Sequence, residues 1–259
     1  MPKVQIIGQI LPMFANISVN SGVNVEWNDP DIGLEINFAV QIKNSVITVD
    51  CDINRFEDDD LASLYMRVHD IVQASVNLVA FAGGFGPVVS LHTLIKPDGT
   101  PVPLLILDKK LPPLCTAFGI NSESPDTNAS FDVVYKLVLQ EPALLMALND
   151  LIVAITAPHQ AAINCARAIE GIRHMISPPG TPTKDTWVIM RDNLRLDRSY
   201  IELITDTSAA PRHGDRTHIP GSIVTVICER AWVIMNRFLE YRKRGNQQLP
   251  TSEFPLLVS

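Results

Sequence analysis

Asn121-Ser122-Glu123-Ser124-Pro125-Asp126-Thr127-Asn128 is polar and has little to bury, and it separates two halves of different periodicity. Upstream of it, apolar residues alternate with polar ones, as in half-buried strands. Downstream they recur every three or four residues, as on one face of a helix. The reading is an α+β chain: an N-terminal antiparallel sheet domain with one long helix over 1–120, an all-helical bundle over 129–245, and an irregular C-terminal tail over 246–259.

The upstream half reads as a meander. Residues 4–10 and 23–27 alternate, and Asn28-Asp29-Pro30-Asp31 is turn chemistry. Residues 34–42 and 45–51 read as a hairpin across Lys43-Asn44. Asp58-Asp59-Asp60 then stands where acidic residues cap a helix. Leu61, Leu64, Tyr65, Val68, Ile71, Val72 and Val79 continue it at helical spacing to about residue 81. Gly83-Gly84-Phe85-Gly86 follows a helix and precedes a strand. A phosphate loop runs the other way, strand to helix, so these glycines read as a helix stop. Residues 88–95 and 102–107 form a second hairpin around Pro97-Asp98-Gly99-Thr100.

In the downstream half, 131–139 reads as a short helix or strand. Helices are predicted over 142–156, with Pro142 at an early position, and over 158–176. Pro178-Pro179-Gly180-Thr181-Pro182 breaks the chain. Residues 185–205 hold one helix, or two broken near Asp197. The last helix, 223–244, places Ile223, Ile227, Ala231, Ile234, Phe238 and Tyr241 on one face. In the tail, Phe254, Leu256 and Leu257 are available to pack on the body.

Composition bounds the class. With 259 residues, 46% hydrophobic and 19% charged, the chain is globular and long enough for a real core. Cys51, Cys115, Cys165 and Cys228 are far apart and form no CxxC pair, so they read as buried free thiols in a reducing cytosol rather than as a zinc site. Residues 71–95 lack formal charge, but Gly83, Gly84, Gly86 and Pro87 interrupt them, which argues against a membrane span. Neither a secretory leader nor a cofactor fingerprint is apparent, so the expectation is a cytoplasmic protein without a cofactor.

Charge is unevenly placed. Residues 1–120 hold 7 Lys+Arg against 13 Asp+Glu, whereas 160–245 hold 13 against 9, and 11 of those 13 are Arg. This suits either an anion-binding face or arginines that pair with the acidic N-terminal domain.

The densest cluster is Arg212-His213-Gly214-Asp215-Arg216-Thr217-His218, between Ala209-Ala210-Pro211 and Pro220-Gly221. A guanidinium holds a fixed charge, and an imidazole exchanges protons near neutral pH. Flanked by prolines and holding Gly214, the run reads as a loop. His213, Asp215 and His218 are metal-ligand types without metal-site spacing, so no metal is assigned. Arg230, Arg237 and Arg244 recur every seven residues as a stripe, which together with Arg216 reads as a phosphate track or as a solvated helix face.

Arg212 and His218, with five residues between them, resemble the Arg-x(4–6)-His signature of HEPN domains, small helical bundles associated with metal-independent RNA cleavage, usually at a dimer interface, in prokaryotic defence and toxin systems. By that resemblance Arg212 stabilises phosphate charge, His218 acts as general acid/base and His213 is the polar neighbour. That family usually holds the motif on or at the start of a helix, and here the run departs from it. Arg167 and His174 also fit the spacing, with Ala168 after the arginine. Arg167, Glu170 and His174 share one helix face, and Glu170 stands where it pairs with Arg173 and His174. Two expectations follow: a homodimeric RNA-binding protein, with RNA cleavage of the HEPN type left open, or a non-catalytic module that assembles with a protein partner.

Overall fold

The alternation read over the first strand holds its partners in register. In the computed structural model, which describes residues 1–29, 33–57, 60–104, 129–215 and 219–259, β1 (Lys3–Leu11) buries Val4, Ile6, Gly8 and Ile10. With β2 (Val19–Asp29), β3 (Leu34–Lys43), β4 (Val46–Ile53), β5 (Val88–Ile95) and β6 (Pro101–Pro103), it forms one sheet in the order β2-β3-β4-β1-β5-β6. Every neighbouring pair is antiparallel. The helix α1 (Leu61–Gly83) adds Leu64, Tyr65, Val68, Val72 and Val76 to the core that the sheet supplies through Ile6, Phe38, Val49 and Leu94. Burying each such apolar side chain contributes about 1.5–3 kcal/mol. The chain divides into two compact units: 1–106 with 220–222, and 107–219 with 223–259.

Three local expectations are corrected in the sheet unit. The β3–β4 turn is Asn44-Ser45, one residue beyond the expected Lys43-Asn44, and both residues take positive φ (51° and 64°), as a two-residue hairpin turn needs. Ser45 holds that unfavourable backbone because it is fully bonded: its N–H donates to the Ile17 carbonyl, its carbonyl accepts from Ile10 N–H, and its Oγ accepts from Ile17 N–H. Asp60 does not cap α1 with its side chain; the carboxylate instead meets Arg55 at 3.1 Å. The last strand is only Pro101–Pro103, and the expected residues 105–107, the Asn121–Asn128 linker, Asp58, Asp59 and Cys115 lie outside the described residues.

Among its described residues the second unit is built of helices: α2 (Ala129–Gln140), α3 (Pro142–Thr156), α4 (Ala161–Ile176), α5 (Thr183–Leu194), α6 (Arg198–Arg212) and α7 (Gly221–Lys243). Residues 131–139 are therefore helix, not strand. Small residues bring α3 and α4 close: a Cβ on Gly171 would stand 3.6 Å from that of Ala147. Cys165 and Cys228, both buried thiols, meet across α4 and α7 with Sγ atoms 3.8 Å apart. Among the described residues no single helix is long and apolar enough to cross a membrane; one pair, Val134–Gln140 with Pro142–Thr156, passes jointly but is bent by 109°.

Of the two alternatives read over 185–205, the structure shows two helices broken near Asp197. Arg195 takes a left-handed φ of 58° to end α5, and Asp197 starts α6 by accepting from Ser199 N–H at 2.9 Å and Ser199 Oγ at 2.6 Å. Those side-chain and backbone hydrogen bonds hold the Asp197 carboxyl below its ordinary value of 3.8. The stabilisation is therefore full above that value and is lost as pH falls through the lowered one. Asp197→Ala is expected to lower the unfolding midpoint at pH 7, and the difference from wild type closes in thermal melts as the pH is taken below 3.8.

Residues 246–259 form neither helix nor strand, yet they are fastened. Leu249 N–H donates to Asn193, Asp197 N–H to Leu257, and Leu257 N–H to Arg195.

Candidate functional site

The Arg212–His218 run does not begin as a loop. α6 continues through Pro211, so Arg212 is its last residue and His213 its C-cap. Pro211 has no N–H to give the carbonyl four residues back, so it costs the last turn one ladder bond, yet α6 runs one residue past it. Gly214 at φ 81° then lets Asp215 N–H reach back to the Ala210 carbonyl, a closing bond that requires a left-handed residue. Arg216, Thr217 and His218 lie outside the described residues.

The guanidinium of Arg212 reaches Glu170 of α4, with Nη1 to Oε1 at 2.8 Å. The structure thus joins one member of each predicted set. Arg167 and His174 take other partners. Arg167 pairs with Asp150 of α3 at 3.3 Å, where burial lifts the Asp150 carboxyl and Arg167 opposes that lift. His174 Nε2 meets Arg173 Nη2 at 3.0 Å. Glu170 therefore turns to Arg212, not to Arg173 or His174 as expected, because a guanidinium from α6 is within reach.

The seven-residue arginine stripe of α7 is occupied by protein oxygens. Arg230 donates to the Ser199 and Tyr200 carbonyls at 3.4 and 3.2 Å and covers the Tyr200 ring. Arg237, 7% exposed, donates to the carbonyls of Leu194, Arg195 and Pro255 at 2.8–2.9 Å. Arg244 binds Glu240 and Glu253, and it lies 5.2 Å from the Phe254 ring centroid. Arg242 pairs with Glu141. The expected pairing of these arginines with the acidic N-terminal domain is thus replaced by pairing inside the helical unit.

Beside the Arg212–Glu170 bridge lies a cleft of about 480 Å³ between α5 and α6. One wall is the α5 face carrying Lys184, Trp187, Val188 and Arg191, spaced i, i+3, i+4 and i+7. The core face of the same helix is separate: Thr186, Met190 and Leu194. The opposite wall is the α6 face with Arg198, Ile201, Glu202, Thr205 and Asp206, and Glu170 completes the lining. Trp187 is held from behind. Buried Arg173 stacks on it, 4.8 Å from the ring centroid, and donates to Thr186 Oγ1 at 2.7 Å.

Three of the lining charges are already answered, Arg198 and Glu202 by each other at 2.5 Å and Glu170 by Arg212. Lys184, Arg191 and Asp206 make no ion pair among the described residues. Sequence reading missed this cleft. Its trace was present, though: an apolar pair flanked by two cations at helical spacing, off the core face.

The fold and cleft define an α+β protein of two domains, a sheet with one helix and a helical bundle bearing a polar-walled groove. Residues 4–105 match the N-terminal domain, and residues 131–243 the C-terminal domain, of the domain of unknown function DUF8168. The chain belongs to that family. No curated protein and no solved structure matches it.

Proposed function

We propose that this protein is a non-catalytic interaction module and that the α5–α6 cleft of its helical domain is where a protein partner docks. The observation carrying this reading is the composition of the cleft. An apolar floor of Trp187, Val188 and Ile201 is bordered by charges of both signs that make no ion pair among the described residues, Lys184 and Arg191 on one side and Asp206 on the other. A phosphate-binding groove is lined by cations, because each carboxylate repels the backbone it must hold. The mixed border instead suits a polypeptide, which offers both signs and an apolar anchor.

The RNA-directed, HEPN-like reading keeps one specific support. Arg212 is 31% exposed at a helix end with exposed His213 beside it, and the Arg-x(4–6)-His spacing extends from there to His218. The two readings separate in one pair of experiments. A random peptide library displayed on phage is selected on the wild-type protein and counter-screened on Trp187→Ala; the interaction reading expects sequences that lose binding to the variant. Labelled RNA is incubated with the protein in EDTA. Cleavage abolished by both Arg212→Ala and His218→Ala would replace the interaction module with a metal-independent nuclease.

If Arg212 only ties α6 to α4, Arg212→Ala costs about 0.5 kcal/mol in urea unfolding, the scale of a partly exposed ion pair. Self-association, expected of an assembly module, is read by light scattering. The buried, unoxidised Cys51, Cys165 and Cys228 fit a reducing compartment.

A further inference from the structure

Resting on that reading, we infer that the partner presents an amphipathic helix with two carboxylates seven residues apart and an apolar residue midway between them. The spacing is set by α5. Lys184 and Arg191 lie seven residues apart on one helix face, about 10.5 Å along the axis. Trp187 and Val188 stand between them on the same face. A second helix laid along the groove repeats that distance with acids at i and i+7, and it directs an apolar side chain at i+3 or i+4 into the space between α5 and α6.

Charge complementarity fixes the orientation. Among the described residues the lining charges without an ion pair are Lys184 and Arg191 on the α5 wall, the second within electrostatic reach of Asp197, and Asp206 on the α6 wall, since Glu202 and Glu170 are held by Arg198 and Arg212. The docked helix therefore turns its acids to α5 and a lysine or arginine to Asp206. An extended strand is disfavoured: both walls are helices whose backbone groups are internally bonded, so no sheet edge is offered for strand addition. A nucleic-acid strand is disfavoured because its phosphates would face Asp206. The volume of about 480 Å³ accommodates side-chain anchors, not the whole helix, which lies across the mouth.

The test uses dye-labelled, alanine-based helical peptides and fluorescence anisotropy with the full chain. One peptide carries Glu at i and i+7 with Leu at i+3 and i+4. A second has the glutamates five residues apart, and a third has Lys in place of both Glu. The first is expected to bind at least tenfold more tightly than either other. K184E/R191E, verified as folded by circular dichroism, is expected to lose at least tenfold for the Glu peptide and to gain the Lys peptide.

Equal binding of the three peptides, or a preference for the five-residue spacing, overturns the inference. So does a displayed library that yields Trp187-dependent binders without the acid pair; that result leaves the interaction module standing. A library that yields no Trp187-dependent binder overturns both. A labelled single-stranded RNA that binds more tightly than the Glu peptide and is displaced by salt likewise overturns both.

Discussion

Replacing Arg237 with methionine is expected to lower the stability of the helical domain by about 3 kcal/mol and to expose residues 246–259 to proteolysis. Methionine keeps the apolar stem and removes the guanidinium, so the loss isolates the three hydrogen bonds to Leu194, Arg195 and Pro255. Two of those carbonyls close the end of α5, where no intrahelical donor remains for them. The Arg195 carbonyl keeps the Leu257 N–H, but the Leu194 carbonyl loses its side-chain donor, and a buried carbonyl left unanswered costs about 1–3 kcal/mol before relaxation. The third carbonyl belongs to the tail, and its loss also loosens Phe254, which lies 5.7 Å from the Arg237 guanidinium. Burial already pulls the Arg237 pKa below its ordinary value, a sign that the charge is held by geometry and not by water. Arg237→Lys recovers part of the loss at most, since an ammonium is a compact group that cannot span three carbonyls as a fork does. Urea unfolding followed by tryptophan emission gives the free energy, and limited trypsin or thermolysin digestion with mass analysis gives the release of the tail. An unchanged midpoint and an intact tail in Arg237→Met would show that the clamp contributes nothing.

Gly8→Val is expected to cost about 3 kcal/mol in the sheet domain. Gly8 sits in β1 where the pairing with β5 shifts register between Ile7 and Gly8. A Cβ at this position would stand 2.5 Å from the Ser90 carbonyl oxygen and 3.0 Å from Leu91 Cα. Both are backbone atoms of β5, so no side chain can swing aside, and the strand pair itself must part. Overpacking in cores typically costs 1–3 kcal/mol, and a backbone clash lies at the upper end of about that range. Gly86→Ala is the control: its added Cβ meets nothing within 4 Å, so stability is expected to hold or to rise slightly. Guanidinium unfolding of the three proteins, with near-ultraviolet circular dichroism as a second probe, decides the outcome. Equal midpoints for Gly8→Val and wild type would mean that β5 yields freely there.

Elements with a strong period were legible before the structure, because side-chain alternation and helical spacing follow from burial on one face. β1, β3, β4, α1 and α4 are of this kind. The break at Asp197 was legible for a different reason, since an aspartate two residues before a serine carries its own capping chemistry. Pro211 misled because proline costs a helix one hydrogen bond and a clash with the carbonyl four residues back, and the preceding turns of α6 carry that cost through Arg212. The Asn44-Ser45 turn was placed one residue early because neither residue is glycine, and the bonds that hold Ser45 come from Ile10 and Ile17, far off in sequence.

The candidate site was legible only in part. Arg212 and Glu170 were singled out separately, but a contact 42 residues apart in sequence follows from helix packing, which no local pattern encodes. The arginine stripe of α7 was correctly seen as a stripe. Its partners were not, because backbone carbonyls at the end of α5 have no sequence identity to read. The groove escaped for a related reason. Lys184, Trp187 and Arg191 look like ordinary surface on α5 until α6 folds back beside them.

The fastened tail has a practical corollary for anyone who extends this polypeptide. Ser259 N–H rests 3.3 Å from Ser199 Oγ, and the neighbouring Arg198 lines the cleft. A segment joined after Ser259 therefore starts beside the first turn of α6, and a trial ligand fused there through a flexible linker samples the groove at an effective concentration of about a millimolar.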